Sequence, residues 1–218
     1  MNIDIGVLLS KLGSGMLTSF WIFCITLLLS IPLGLLITFG RMAHNAILRT
    51  ITKIYISIMR GTPLMLQLML VYFGPFYIFH VNISSTYRYT AVCIGFVLNY
   101  AAYFAEIYRS GIESMPIGQY EAAKVLGYSK AQTFFYIILP QVVKRILPTI
   151  TNEVITLIKD TSLAFVIGVT EMFTNAKALA SGMSSVMPYL GAGVFYYVFN
   201  FVVAFVMEKF EKKLSYYR

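Results

Sequence analysis

Three charged residues and a threonine between them lie close together in a mainly apolar stretch, residues 146–170. They are Glu153, Thr156, Lys159 and Asp160. Charged groups are costly inside an apolar segment, so they are functional candidates by default. Glu153 and Asp160 are seven residues apart, which places both carboxylates on one face of a helix with Thr156 between them. This spacing predicts a polar helix face that could bind a charged solute.

Among these residues, Glu153 indicates most directly which class of solute would bind. In a dry cavity a carboxylate favours a cationic group, such as the side chain of arginine, lysine or histidine, over a neutral amide. A structural alternative is that Glu153 ties its helix to a neighbour or meets water. Lys159 and Asp160 likewise either contact the solute or form an ion pair that locks or gates the helices.

Two amides in other apolar stretches are further binding candidates. Gln67 and Asn99 could meet the Glu153 cluster at a common depth, where a zwitterion needs both donors and acceptors. Alternatively, these amides form hydrogen bonds between helices. Glu106 and Arg109, one helical turn apart, are expected to form a structural ion pair.

The chain offers little for catalysis or metal binding. Cys24 and Cys93 lie in apolar runs without a CxxC spacing, and His44 and His80 stand far apart. The sequence has no Ser/His/Asp, Cys/His or paired-His constellation, and no GxxxxGK[ST] loop for phosphates. We therefore expect neither an enzyme nor a metal site, and no cofactor bound by this chain.

The composition indicates an all-α polytopic membrane protein. Of the 218 residues, 58% are hydrophobic and 12% are charged, and the mean hydropathy is +0.75. Soluble domains are about 25% charged. Since a membrane helix needs about 20 apolar residues, we predict one transmembrane domain over residues 1–218 with about five spans. They fall within residues 16–39, 61–87, 89–109, 146–170 and 178–207, and Pro188 and Gly191 mark the start of the last helix.

The net charge of +8 is explained by membrane topology rather than by a nucleic-acid partner. Most basic residues fall in the first connection, the third connection or the tail: Arg41, Arg49, Lys53, Arg60, Arg109, Lys124, Lys130, Lys144, Arg145, Lys209, Lys212, Lys213 and Arg218. Basic residues collect on the cytoplasmic side, so five spans predict an external N-terminus. Residues 41–60 are also amphipathic, which indicates an interfacial helix or an extension of the second span.

The longest polar stretch, residues 110–145, predicts a cytoplasmic helix–Gly–helix element. Residues 121–126 favour a helix, Gly127 breaks it, and Ser129 can cap a second short helix that ends at Pro140. The element is either a docking surface or an ordinary interfacial hairpin.

This element carries a recognisable signature. Its fixed positions are Glu121, Ala122, Ala123, Gly127, Ile137, Leu139 and Pro140. They match the EAA signature, so the chain resembles the membrane subunits of ATP-binding-cassette importers of the binding-protein-dependent type. Residues 60–64, 105–111 and 159–163 make it similar to the polar amino-acid uptake permeases in particular.

The resemblance implies a multi-pass permease of the bacterial inner membrane, surrounded by lipid. Two such subunits, identical or related, would form the pathway for polar, cationic amino acids. Two ATP-binding subunits, which hold ATP and Mg, would dock on the EAA loops, and a solute-binding protein would deliver the substrate from outside. A permease for glutamine or another neutral amino acid, or an ion-coupled secondary carrier, remains the alternative.

Overall fold

A computed structural model of the protein describes residues 5–214, so Arg218 of the basic tail lies outside them. Within this range the chain forms helices and no strand. The α-helices are α1 (Ile5–Arg41), α2 (Ala46–Gly61), α3 (Leu64–Phe79), α4 (Tyr87–Glu113), α5 (Ile117–Val125), α6 (Lys130–Gln132), α7 (Leu139–Asp160), α8 (Met172–Met183) and α9 (Met187–Lys213). A π-helical turn, Thr133–Ile138, joins α6 to α7, and a 3-10 helix, Thr161–Ile167, follows α7.

The described helices confirm the all-α class and the prediction of about five spans. Four are long and apolar enough to cross a membrane, and the fifth is the pair α2 and α3, bent by 109°. The bend falls at Thr62 and Pro63. Because the ring of a proline pushes the preceding residue out of the helical region, Thr62 has an extended backbone (φ −123°, ψ 147°). The second span is therefore broken rather than continuous.

Several boundaries differ from the predicted ones. α1 begins at Ile5 rather than near residue 16, and it contains both Lys11 and Pro32. Most of the amphipathic stretch forms a separate helix, α2 (Ala46–Gly61), which is bent by 109° from the next helix instead of being a straight extension of it. The last span begins at Met187, as Pro188 predicted, because a proline is well tolerated in the first turn of a helix.

The predicted helix end at Pro140 is wrong. The chain stays helical from Lys130 to Asp160, and the π-helical turn ends at Ile138, two residues before Pro140. A proline has no N–H for the carbonyl four residues earlier and its ring crowds that carbonyl, so a locally wider turn accommodates it. As a consequence, the second helix of the polar loop runs without a break into the fourth span.

The core is built around close packing of α1 on α4. At Gly34 an added Cβ would lie 2.8 Å from Phe104 Cβ and 3.0 Å from the Ala101 carbonyl oxygen. One turn later, the Thr38 hydroxyl donates to the Ala105 carbonyl oxygen at 3.1 Å. Small residues at membrane helix interfaces allow backbones to approach in this way. This contact holds α4, which supplies one wall of the candidate site.

Valine in place of Gly34 is expected to lower the free energy of unfolding by about 3 kcal/mol, because its side chain meets backbone as well as the Phe104 side chain. The midpoint of thermal unfolding in detergent measures this change. Gly13→Val is the matched control, since Gly13 lies on the same helix with nothing within 4 Å of an added Cβ. Equal midpoints for the two variants would contradict the proposed packing.

Candidate functional site

A cavity of about 440 Å³ lies between the facing sides of α4 and α7, near the end of the bundle that carries α5 and α6. From α4 it is lined by Tyr103, Glu106 and Ser110, and from α7 by Arg145, Thr149 and Glu153. Arg60, at the end of α2, also lines it. The bend between α2 and α3 therefore brings a cation into a cavity that also holds a carboxylate.

Glu153 is the predicted binding residue that lines this cavity. Its side chain is half-buried, and it forms no ion pair within residues 5–214. The charges of Arg60 and Asp160 are both near enough to act on Glu153. A carboxylate with no bound cation, in a partly dry cavity, can attract a positively charged solute.

Asp160 is held by a different contact. Its carboxylate accepts a hydrogen bond from the Tyr100 hydroxyl at 2.8 Å, and Tyr100 is 2% exposed. The Tyr100 ring stacks on Phe96 with 6.4 Å between ring centroids. Asp160 thus joins α7 to α4 about two helical turns beyond Glu153. Tyr100 gave no signal in the sequence because the pairing spans 60 residues.

The other two members of the sequence cluster lie outside the cavity. Lys159 is exposed and forms no ion pair in the described part of the chain, although its charge acts on neighbouring Asp160. Thr156 is half-buried. The structure therefore brings Glu153 to the cavity and leaves Thr156, Lys159 and Asp160 along the next two turns of α7.

Gln67 and Asn99 form one hydrogen-bonded network across the α2–α3 bend. The Asn99 amide donates to Gln67 Oε1 and to the Met59 carbonyl oxygen, both at 3.0 Å. The Gln67 amide donates to Met59 O at 2.9 Å and to Thr62 Oγ1 at 2.8 Å. These bonds satisfy carbonyl groups freed by the break and fasten the bend to α4. Of the two predicted roles, this geometry favours bonding between helices.

Glu106 and Arg109 form the structural pair that their spacing predicted. A Glu106 carboxylate oxygen lies 2.5 Å from an Arg109 guanidinium nitrogen, and Arg109 also pairs with Glu113. The charge of Glu106 is therefore largely neutralised, although its side chain lines the cavity. Glu153 remains the carboxylate there without such a partner.

The helix–Gly–helix element has the geometry that its sequence predicted around Gly127. Gly127 has φ +80°, the Gly127 N–H donates to Lys124 O at 3.1 Å, and the Tyr128 N–H donates to Ala123 O at 3.0 Å. This pair of bonds is a Schellman motif, which needs a left-handed residue and therefore favours glycine. Ser129 and Gln132 then form a capping box that starts α6.

Exposure of the signature residues divides them into two groups. Ala123 is 1% exposed because α5 packs against the π-helical turn there, and Leu139 is half-buried. Glu121, Ala122, Gly127 and Pro140 are exposed. Val125 and Leu126, just before the turn, are 87% and 73% exposed. Two apolar side chains at a loop tip form a surface that a partner protein would bury, and this pair was not singled out from the sequence.

Two further charged residues were missed. From the sequence, Arg60 belongs to the basic first connection and to the motif at residues 60–64 rather than to the site, yet its guanidinium lies 5.3 Å from the centroid of the Tyr103 ring. Glu171 is fully buried and accepts hydrogen bonds from the backbone N–H groups of Phe173 and Thr174 at 2.6 and 2.7 Å. It caps α8 and is structurally satisfied. The described residues contain no group of His, Cys, Asp or Glu side chains that could hold a metal ion.

Comparison with known proteins places this geometry in context. Residues 30–216 match the family described as "Binding-protein-dependent transport system inner membrane component". A probable amino-acid ABC transporter permease of Bacillus subtilis, YckA, is 41% identical over 186 residues, which are 85% of this chain and 80% of YckA. The arginine transport system permease ArtQ of B. subtilis is 33% identical over 219 residues, covering 99% of both chains.

Other relatives carry the names of different substrates. A putative permease of Rickettsia typhi is named for glutamine transport, and one of B. subtilis for L-cystine transport. Among solved structures, an amino acid ABC transporter crystallised with histidines has a TM-score of 0.88 and 30% identity to this chain. That match covers 98% of this chain and all of the other.

Proposed function

Because this chain belongs to the family of inner membrane components of binding-protein-dependent transport systems, and because Glu153 lines its cavity, we propose that this cavity carries cationic amino acids. The resemblance predicted from the EAA signature is confirmed at the level of the family. The chain is the permease subunit of an amino-acid ABC importer of the inner membrane. The finer assignment to arginine, lysine and histidine is the proposal.

The observation that carries the proposal is the carboxylate of Glu153. It lines a cavity of about 440 Å³ between two membrane helices, and the part of the chain described here supplies no ion-pair partner for it. Leaving a carboxylate in such a place costs free energy that a cationic ligand recovers. Thr156, Lys159 and Asp160 on the same helix, and Gln67 and Asn99 beside the bend, shape the path around that residue.

The second part of the proposed function is coupling to ATP hydrolysis, through the loop that carries α5 and α6. In a binding-protein-dependent importer the membrane subunit works with ATP-binding subunits, a solute-binding protein and a second permease subunit. We place the docking contact for the ATP-binding subunit at the exposed tip formed by Val125, Leu126 and Gly127, with Glu121 as a charged contact. Because α6, the π-helical turn and α7 are continuous, movement of that tip is transmitted to the helix that bears Glu153.

A carrier for glutamine or another neutral polar amino acid is the second candidate, and the relatives named for glutamine support it. Neutral amides can hydrogen-bond a carboxylate but gain no charge–charge attraction. The two candidates therefore differ in which ligand the isolated membrane complex prefers. An ion-coupled secondary carrier would have no use for the EAA loop.

The test is equilibrium binding to the purified complex of this chain and its ATP-binding subunits, and uptake by that complex with its solute-binding protein added. We expect arginine and lysine to bind at least about tenfold more tightly than glutamine, the size of one charge-assisted contact. Uptake into proteoliposomes should require ATP and be insensitive to Na⁺ and proton gradients. Tighter binding of glutamine would overturn the cationic assignment, and uptake driven by an ion gradient would support the secondary carrier.

A further inference from the structure

Arg60 is one of two cations that line the candidate site; the other, Arg145, donates a hydrogen bond to the Ser114 carbonyl oxygen at 2.9 Å. Arg60 stands in the last turn of α2, beside the bend, and its guanidinium lies over the face of the Tyr103 ring at 5.3 Å. It forms no salt bridge with any carboxylate among residues 5–214. Arg60 is exposed, so its guanidinium is accessible to a solute in the cavity.

Arg60 also joins two cavities. The first is the cavity that holds Glu153. The second, of about 450 Å³, shares Arg60, Tyr103 and Glu106 with it and is otherwise lined by residues that include Arg41, Lys53 and Ser57. Because Arg109 neutralises Glu106, the second cavity is strongly positive, while Glu153 supplies the unpaired carboxylate of the first one, which Arg145 also lines.

This polarity matches the charge distribution of an amino acid. The guanidinium of an arginine presents a planar fork of N–H donors that binds a carboxylate through two parallel hydrogen bonds. The cation–π contact with Tyr103 holds the Arg60 guanidinium beside the cavity. Glu153, on the facing helix, is left for a positively charged group of the same ligand.

We propose that Arg60 binds the α-carboxylate of the transported amino acid and so positions it against Glu153. The inference rests on the proposed function to the extent that the cavity binds an amino acid. It does not depend on a cationic side chain, because every α-amino acid carries this carboxylate. Arg60 is thereby a general recognition residue, and Glu153 is the residue that discriminates among side chains.

A purely structural role for Arg60 makes a different prediction. A positive charge in the last turn of α2 interacts favourably with the helix dipole, and stacking on Tyr103 adds packing. Loss of these contacts would weaken the protein in the same way for every ligand. Recognition of the carboxylate, by contrast, affects only those ligands that have one.

The experiment compares arginine with agmatine, its decarboxylated analogue, in binding to the complex with its ATP-binding subunits. In Arg60→Gln we expect the affinity for arginine to fall by about tenfold to 100-fold, the effect of losing hydrogen bonds between charged groups. The affinity for agmatine should remain that of the parent. Arg60→Lys keeps the charge but not the fork and should recover part of the arginine affinity. Arg49→Gln, which removes a basic residue of α2 outside both cavities, is the matched control. It should leave the affinities for arginine and for agmatine unchanged.

An equal loss for arginine and agmatine in Arg60→Gln would overturn the inference and return Arg60 to a structural role. If the complex prefers glutamine to arginine, the cationic assignment fails, and the same comparison is made with glutamine and 4-aminobutanamide, its decarboxylated analogue. Selective loss of glutamine binding would then support Arg60 as the carboxylate ligand on its own. Absence of binding for both amino acids would overturn both proposals.

Discussion

Glutamine in place of Glu153 is expected to lower ATP-driven arginine uptake about 100-fold. Removing one partner of a desolvated charge pair costs several kcal/mol, of which about 3 kcal/mol corresponds to this factor. The substitution keeps the size and the hydrogen-bonding capacity of the side chain, so the loss reports the charge. Initial rates of uptake by proteoliposomes, together with arginine affinity measured on the purified complex, provide the measurement.

The same variant distinguishes a change in substrate selectivity from a defect in folding. Uptake of glutamine by Glu153→Gln should remain at or above the parent level, which a misfolded complex could not show. Glu153→Asp, with the charge retained on a shorter side chain, should keep part of the arginine affinity. Glu208→Gln is the matched control, because Glu208 is an exposed carboxylate on α9 that pairs with Lys212 at 2.5 Å. Unchanged arginine uptake in Glu153→Gln would leave Glu153 with a structural role and move specificity to the solute-binding protein.

Valine in place of Gly127 is expected to uncouple ATP hydrolysis from transport. Gly127 has φ +80°, a conformation that costs an L-residue about 1–2 kcal/mol and more when its side chain is β-branched. Nothing lies within 4 Å of an added Cβ there, so the cost is conformational and confined to the turn. A changed turn would redirect exposed Val125 and Leu126, and uptake should fall at least about tenfold while ATP hydrolysis continues.

Two matched variants test this interpretation of Gly127. Gly127→Asn should retain most uptake, because asparagine tolerates the left-handed region. Gly118→Val should leave uptake nearly unchanged, because Gly118 is also on the polar loop and also has open space around an added Cβ. Glu121→Lys, which reverses an exposed charge on α5, should also uncouple the complex. Normal uptake by both Gly127→Val and Glu121→Lys would place the docking contact elsewhere. Membrane insertion of all variants should equal that of the parent.

The spans could be predicted because bilayer energetics act on local composition. An uncharged run of about 20 residues must cross the membrane or be buried, whatever its neighbours do. Helix ends were harder to predict from the sequence, because they also depend on the local backbone geometry around them. Pro140 predicts a helix end by itself, but a π-helical turn absorbs it and the chain remains helical to Asp160.

Candidate site residues could be predicted by type but not by partner. Polar side chains in apolar segments stand out in a sequence, and so Glu153, Asp160, Gln67 and Asn99 were all found. Which of them contact one another depends on residues that are remote in the chain. Tyr100 meets Asp160 across 60 residues, and Asn99 meets Met59 across 40. Arg60 was overlooked as a site residue because basic residues in connections are normally explained by topology.

By itself, the sequence determined the membrane class, the approximate spans, the EAA element and the family, since each depends on composition or on spacing within a few turns of chain. Tertiary structure decided the site. The α2–α3 bend brings Arg60 to the facing surfaces of α4 and α7, Arg109 neutralises Glu106, and hydrogen bonds engage Gln67, Asn99 and Asp160. Glu153 is thereby left as the carboxylate of the cavity without an ion pair, with Arg60 on the same lining, because the energy of a charge in a cavity depends on which groups surround it in space.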